Sequence, residues 1–186
     1  MRKIIFWNLI SIDGFFEGPN SETDWHNVDD EFNEFAVAFL GTLDTLLFGR
    51  KTYELMAGYW PTDMAVDDDP FVAAKMNSLK KVVFSKTLST AGWENTRLVK
   101  ENIKEEVEKI KNEPGRDIAV FGSSDLSVEL MKHDLIDEFR VLINPVILGG
   151  GKTIFKGISG RYKLKLIDTK VFKSGNVLLY YQPDKS

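Results

Sequence analysis

The chain has 186 residues, 43% of them hydrophobic and 28% charged, with a net charge of −4. That length supports a full hydrophobic core, and the mixed charges exclude a disordered chain. The mild acidity offers no long-range attraction for nucleic acid or an anionic membrane. With no cysteine, disulfides, thiolate metal sites and a cysteine nucleophile are excluded, in keeping with a cytoplasmic setting.

Arg2–Ile10 reads as a first strand rather than a leader, because Asn8, Asp13 and Glu17 interrupt the apolar run. No window approaches the ~18 apolar residues of a membrane helix. A loop from Ser11 to Val28 follows. Asp29–Leu43 then repeats Phe32, Phe35, Ala36, Phe39, Leu40 and Leu43 at helical spacing. Thr45–Phe48 is a short buried strand, Thr52–Ala57 a helical turn, Phe71–Asn77 a short helix and Val82–Ser85 a strand. Glu101–Lys111 is an amphipathic helix, Ile118–Phe121 a strand and Ser124–His133 a helix. Glu138–Ile143 alternates as a strand. Arg161–Phe172 and Val177–Gln182 form a hairpin across Ser174-Gly175-Asn176. The pattern predicts one α/β domain over residues 1–186. Its sheet is mixed and mostly parallel, flanked by helices, with a C-terminal antiparallel hairpin.

Three phosphate-sized segments follow strands, where α/β sheets bind ligands. Gly49-Arg50-Lys51-Thr52 joins glycine and two cations to a helix start; a solvated turn is the other reading. Ser85-Lys86-Thr87 sets a lysine between hydroxyls, which suits a phosphate monoester or an ordinary turn. Gly122-Ser123-Ser124 repeats the strand–glycine–helix arrangement, where Ser124 or Asp125 can instead cap the helix. Their recurrence in one domain makes a dinucleotide ligand plausible. Pro145–Thr153 imitates a P-loop but has Val146 where that pattern needs glycine. Its glycines, Gly149 and Gly150 among them, permit close backbone contact with a ligand.

Asn8 is either satisfied by neighbouring backbone or faces a cleft. Asp29 is the only acid of the long helix near its apolar side, as an N-cap or as a substrate-binding group. Asp13 stands with Ser11 and Gly14 after the first strand, as a tight turn or as a proton donor. His26 and His133 lack ligand-like partners, and Asp67-Asp68-Asp69-Pro70, lacking the glycine and spacing of a calcium loop, reads as a solvated loop, so no metal is expected.

Taken together, these segments show a resemblance. Gly49-Arg50-Lys51-Thr52-Tyr53-Glu54 resembles the cofactor segment of dihydrofolate reductases. Ser11-Ile12-Asp13-Gly14-Phe15 and Pro145–Gly151, with Phe155 beyond, resemble the reductase domain of bacterial bifunctional riboflavin deaminase-reductases. The zinc-binding deaminase residues are absent. The resemblance implies a dihydrofolate-reductase-like fold, NADPH as cofactor and a homodimer. It places Gly49 to Thr52 and Gly122 to Ser124 along the diphosphate, with Gly149 and Gly150 nearby, and Ser85, Lys86 and Thr87 at the 2′-phosphate. It also places a small pterin- or pyrimidine-like substrate against Asn8, Ser11, Gly14 and Trp25, with the proton coming through Asp13, Asp29 or a bound water. A protein that holds NADPH without turnover is the other function these residues allow.

Overall fold

The computed structural model describes residues 1–122 and 124–185. β1 (Ile4–Ser11) is apolar on both faces: Ile5 and Trp7 enter one core cluster, Ile4 and Phe6 the other. Such a strand needs cover on both sides, and so sits in the middle of a sheet. The chain continues through β2 (Phe15–Glu17), α1 (Asp30–Gly41), β3 (Leu43–Gly49), α2 (Arg50–Tyr59), α3 (Asp63–Asp68) and α4 (Pro70–Ser78). Next come β4 (Lys80–Phe84), β5 (Thr96–Val99), α5 (Ile103–Asn112), β6 (Asp117–Phe121), α6 (Ser124–Lys132) and β7 (Glu138–Asn144). β8 (Lys152–Thr153), β9 (Leu164–Val171) and β10 (Val177–Pro183) close it.

The main sheet has eight strands in the order β5-β4-β3-β6-β1-β7-β10-β9. Every pair from β5 to β7 is parallel, and β10 runs antiparallel to both β7 and β9. Phe39 of α1, Tyr53 of α2 and Met76 of α4 cover one face, while Val107 of α5 and Leu130 of α6 cover the other. At the N-terminal strand ends the buried Arg2 guanidinium binds Asp44, Thr45 Oγ1 and the Ile110 and Arg116 carbonyls. A buried cation is tolerated there because acceptors surround it.

The predicted architecture is present, with local differences. The expected loop 11–28 contains β2, whose three half-buried residues form a strand only by pairing with β8. The four-residue β5 exists because β4 offers it a parallel edge. The acidic run is not a solvated loop: Asp67 and Asp68 end α3, and Asp69 caps α4 by accepting from Phe71 and Val72 N–H, with Pro70 next to it. α1 stops at Gly41, and Leu43 belongs to β3.

The hairpin divides its apolar residues unevenly between its two strands. β10 lies inside the sheet, with Leu178 fully buried and the Arg140 guanidinium 5.2 Å from the Tyr180 ring. The uncovered apolar side chains belong to the edge strand β9: Leu166, Ile167 and Val171 are 45–69% exposed.

Candidate active site at the carboxyl ends of the parallel strands

Gly49 is the N-cap of α2, in extended backbone, and no side chain caps the helix. No acid occupies the first turn, while Arg50 and Lys51 are exposed there. The macrodipole and both cations therefore favour an anion at this corner. Gly122, after β6, takes φ +54, and a Cβ there would stand 3.3 Å from the Thr52 side chain. Its N–H donates to the Trp7 carbonyl at 3.2 Å and its carbonyl accepts from Ser127 Oγ at 3.1 Å. Two of the three expected phosphate segments thus abut. Ser124 opens α6, and Ser123 lies outside the described residues.

The third segment lies one strand beyond. Ser85 Oγ accepts from the Thr87 and Leu88 N–H groups at 3.3 and 3.0 Å, which shapes a turn and leaves Lys86 and Thr87 exposed. The turn borders a groove of about 540 Å³ lined by Ser85, Lys86, Lys100, Asn102 and Lys104. Glu101, Glu105 and Glu129 share its wall, so attraction for a phosphate there is local to the lysines. Lys100, Asn102 and Lys104 were not expected from sequence, because β5 was not seen, Lys100 fell between elements, and Asn102 and Lys104 read as helix surface. The available signal was the residue type: Asn102, the N-cap of α5, takes a left-handed φ of +56, which asparagine tolerates.

The larger groove, about 700 Å³ beside Tyr53 and Trp93, lies elsewhere. Its Asn77 carbonyl accepts from the buried Lys81 ammonium at the start of β4, the opposite end of the sheet. Burial pushes that amine down to about 8, and a carbonyl cap on α4 explains its position.

On the other side of β1, two loops interlock. Asp13 accepts from the Leu148 and Gly149 N–H groups at 3.1 and 2.8 Å. Those bonds, after one from Ser11, hold its carboxyl below the usual range. Ser11 is fully buried, and its Oγ accepts from Phe15 N–H at 3.0 Å. Ser11 thus holds the turn, with Gly14 at φ +87 donating to the Ser11 carbonyl. Lys152 pairs with Glu17, and a Cβ at Gly150 would stand 3.6 Å from the Pro19 ring. Asp29 caps α1, its Oδ1 accepting from Phe32 N–H at 2.8 Å.

The loop before α1 is tied down by three asparagines that sequence reading missed. Asn144 Oδ1 accepts from Asn27 N–H at 2.8 Å, and Asn176 Nδ2 donates to the Asn27 carbonyl at 2.6 Å. Asn27 Nδ2 donates to the Ser174 carbonyl at 2.8 Å. Trp25 Nε1 donates to the Glu22 carbonyl, and its ring meets His26 edge-on at 4.4 Å. Burial pushes the His26 imidazole down to about 4 against an opposing Asp24 charge. Among the described residues no cluster of three histidines or carboxylates could hold a metal ion, and no helix is long and apolar enough to cross a membrane.

The model of the RibD C-terminal domain family matches residues 2–180. The uncharacterized Bacillus subtilis protein YyaP is 37% identical over 180 residues, 97% of this chain and 94% of its own length. A Shewanella sp. PV-4 structure named for riboflavin biosynthesis covers both chains completely, at 25% identity and a TM-score of 0.73. Dihydrofolate reductase from Enterococcus faecalis, solved with NADP(H), covers 99% of this chain and 97% of its own, at 16% identity and a TM-score of 0.66. That last likeness shows a shared fold.

Proposed function

Because the chain belongs to the RibD C-terminal domain family, we propose that it is an NADPH-dependent reductase of a small pterin- or pyrimidine-like heterocycle. Family and fold support a reductase. One arrangement carries the cofactor assignment: an anion corner where Thr52 meets Gly122 beside the α2 start, with the lysine-lined groove one strand away. Arg50, Lys51 and Thr52 would hold the diphosphate with Gly49 and Gly122. Ser85, Lys86 and Thr87 would hold the 2′-phosphate, joined by Lys100. Gly149 and Gly150 would approach from the latched loop.

When bound, the dihydronicotinamide supplies a hydride. The chain's own residues align the two ligands, which can contribute on the order of 7–11 kcal/mol, and exclude water. Neither expected acid is suited to storing a proton. Asp13 is held ionised by the Ser11 hydroxyl and the amides it grips, and Asp29 spends an oxygen on its helix. We therefore assign Asp13 to holding the glycine loop and leave proton delivery to a bound water. A protein that holds NADPH without turnover shares these contacts. Cofactor oxidation with a panel of pterins and pyrimidinones separates the two readings.

Lys86→Ala is expected to weaken NADPH binding about 10- to 100-fold, because a charge-assisted contact is worth roughly 1.5–3 kcal/mol. NADH binding should be unchanged. Equal losses for both cofactors in parallel titrations would remove Lys86 from the 2′-phosphate.

The proposal further includes a single cytoplasmic domain, acting on small molecules without nucleic-acid or membrane partners, and a homodimer. Exposed Leu166, Ile167 and Val171 on an unpaired strand edge are the surface a second copy would cover. Light scattering at micromolar concentration should give the mass of two chains; a single-chain mass removes the dimer.

A further inference from the structure

β1 and β6 stay paired only to Trp7 and Phe121, whereas β1 and β7 stay paired to Ser11 and Asn144. The last bond on the β6 side is Gly122 N–H to the Trp7 carbonyl. Beyond it the two strands part. The helix that follows β1 covers one face of the sheet and the helix that follows β6 covers the other. Ligands of α/β proteins bind in such a split.

In a parallel strand, residues two apart direct their backbone polar groups to the same side. Leu9 N–H thus faces β6, as the Trp7 carbonyl does, but meets no strand there. Asn8 Oδ1 accepts it instead, at 2.8 Å. That bond fixes the amide: its oxygen is used, and its NH₂ is left over. Asn8 is 8% exposed, and its Nδ2 is buried with no partner among the described residues. Burying a donor unpaired is costly, and the rest of β1 is apolar from Ile4 to Ile10. That NH₂ can donate to a hydrogen-bond acceptor, such as a carbonyl oxygen, of a ligand seated in the split.

We propose that Asn8 Nδ2 recognises the carboxamide oxygen of the dihydronicotinamide ring. This rests on the NADPH reading above. Neighbouring strands lie ~4.8 Å apart, so the carboxyl ends of β4, β3, β6 and β1 span roughly 14 Å. Along them stand Lys86, then the Thr52–Gly122 corner, then Asn8. The sequence 2′-phosphate, diphosphate, nicotinamide follows the same order. A ring carbonyl of the substrate is the other source of that acceptor, and the test separates the two.

The wild type, Asn8→Ala and Asn8→Asp are titrated with 2′,5′-ADP, NADPH and the thionicotinamide analogue of NADPH, whose sulfur accepts poorly. Asn8→Asp keeps an oxygen for Leu9 N–H and so tests the donor in an intact strand. 2′,5′-ADP should bind all three proteins within about twofold. NADPH should bind both variants about tenfold more weakly, while the thio analogue loses little, giving a non-additive cycle. Equal losses for NADPH and the analogue, or none for either, overturn the assignment. So does unchanged NADPH affinity with a raised KM for a pyrimidinone or pterin, which would give the acceptor to the substrate. If wild type binds neither 2′,5′-ADP nor NADPH, the cofactor reading itself fails.

Discussion

Gly151→Ala is expected to lower the free energy of unfolding by about 2–6 kcal/mol, the sum of backbone strain and overpacking. Gly151 takes φ +141, and a Cβ there would stand 2.1 Å from the Glu17 carbonyl oxygen and 3.2 Å from Gly18 Cα. Both obstacles are backbone, so no side-chain rotation relieves them. β8 must move off β2, which breaks the Phe15–Thr153 and Glu17–Lys152 pairings and strains the loop that Asp13 holds. For a chain of this size the melting temperature should fall by roughly 5–20 °C. Gly41→Ala is the matched control. Its Cβ meets nothing within 4 Å, it ends α1, and alanine favours a helix. Calorimetry of both variants decides the matter: a Gly151→Ala melting temperature within about 2 °C of the parent would show that the loops are not locked.

Acidification should act through His26. The unfolded chain takes up a proton at this residue near pH 6.5, whereas the folded chain keeps the ring neutral down to about 4 because burial disfavours the cation. Between those values the unfolded state binds more protons, so the stabilising contribution present above pH 6.5 is lost as pH falls toward 4. The total is about 3 kcal/mol at most, at 1.36 kcal/mol per pKa unit. Urea unfolding of the parent and of His26→Gln across this window should show a steeper fall in the parent. Superimposable profiles would mean that His26 is protonated as readily in the fold as outside it. The consequence for function is local, since His26 adjoins Asn27, which the ends of β7 and of the hairpin hold in place.

Much of this molecule was legible before any coordinates. The helical repeat of Phe32, Phe39 and Leu40, the two-faced apolar run of β1 and the strand–glycine–helix junctions at Gly49 and Gly122 depend on local periodicity and backbone freedom. These are properties of contiguous residues, which is why they survive in a linear reading. The cofactor-type motif belongs to the same class, because its residues adjoin one another in the chain.

Tertiary structure alone decided what depends on partners far away in sequence. β2 and β5 are too short to announce themselves and exist because β8 and β4 present an edge. Ser11 and Asp13 looked like open polar groups after a strand, yet burial closes one and amides from a loop some 135 residues on capture the other. Lys100 and Lys104 became candidates only when β5 set them beside Lys86. Asn8 shows the division within one side chain. Its polarity in an apolar strand was visible in the sequence, but only the parting of β1 from β6 shows why its oxygen is used and its NH₂ remains. Hydrogen-bond satisfaction is a property of packed neighbours, and a linear reading cannot count neighbours it has not placed.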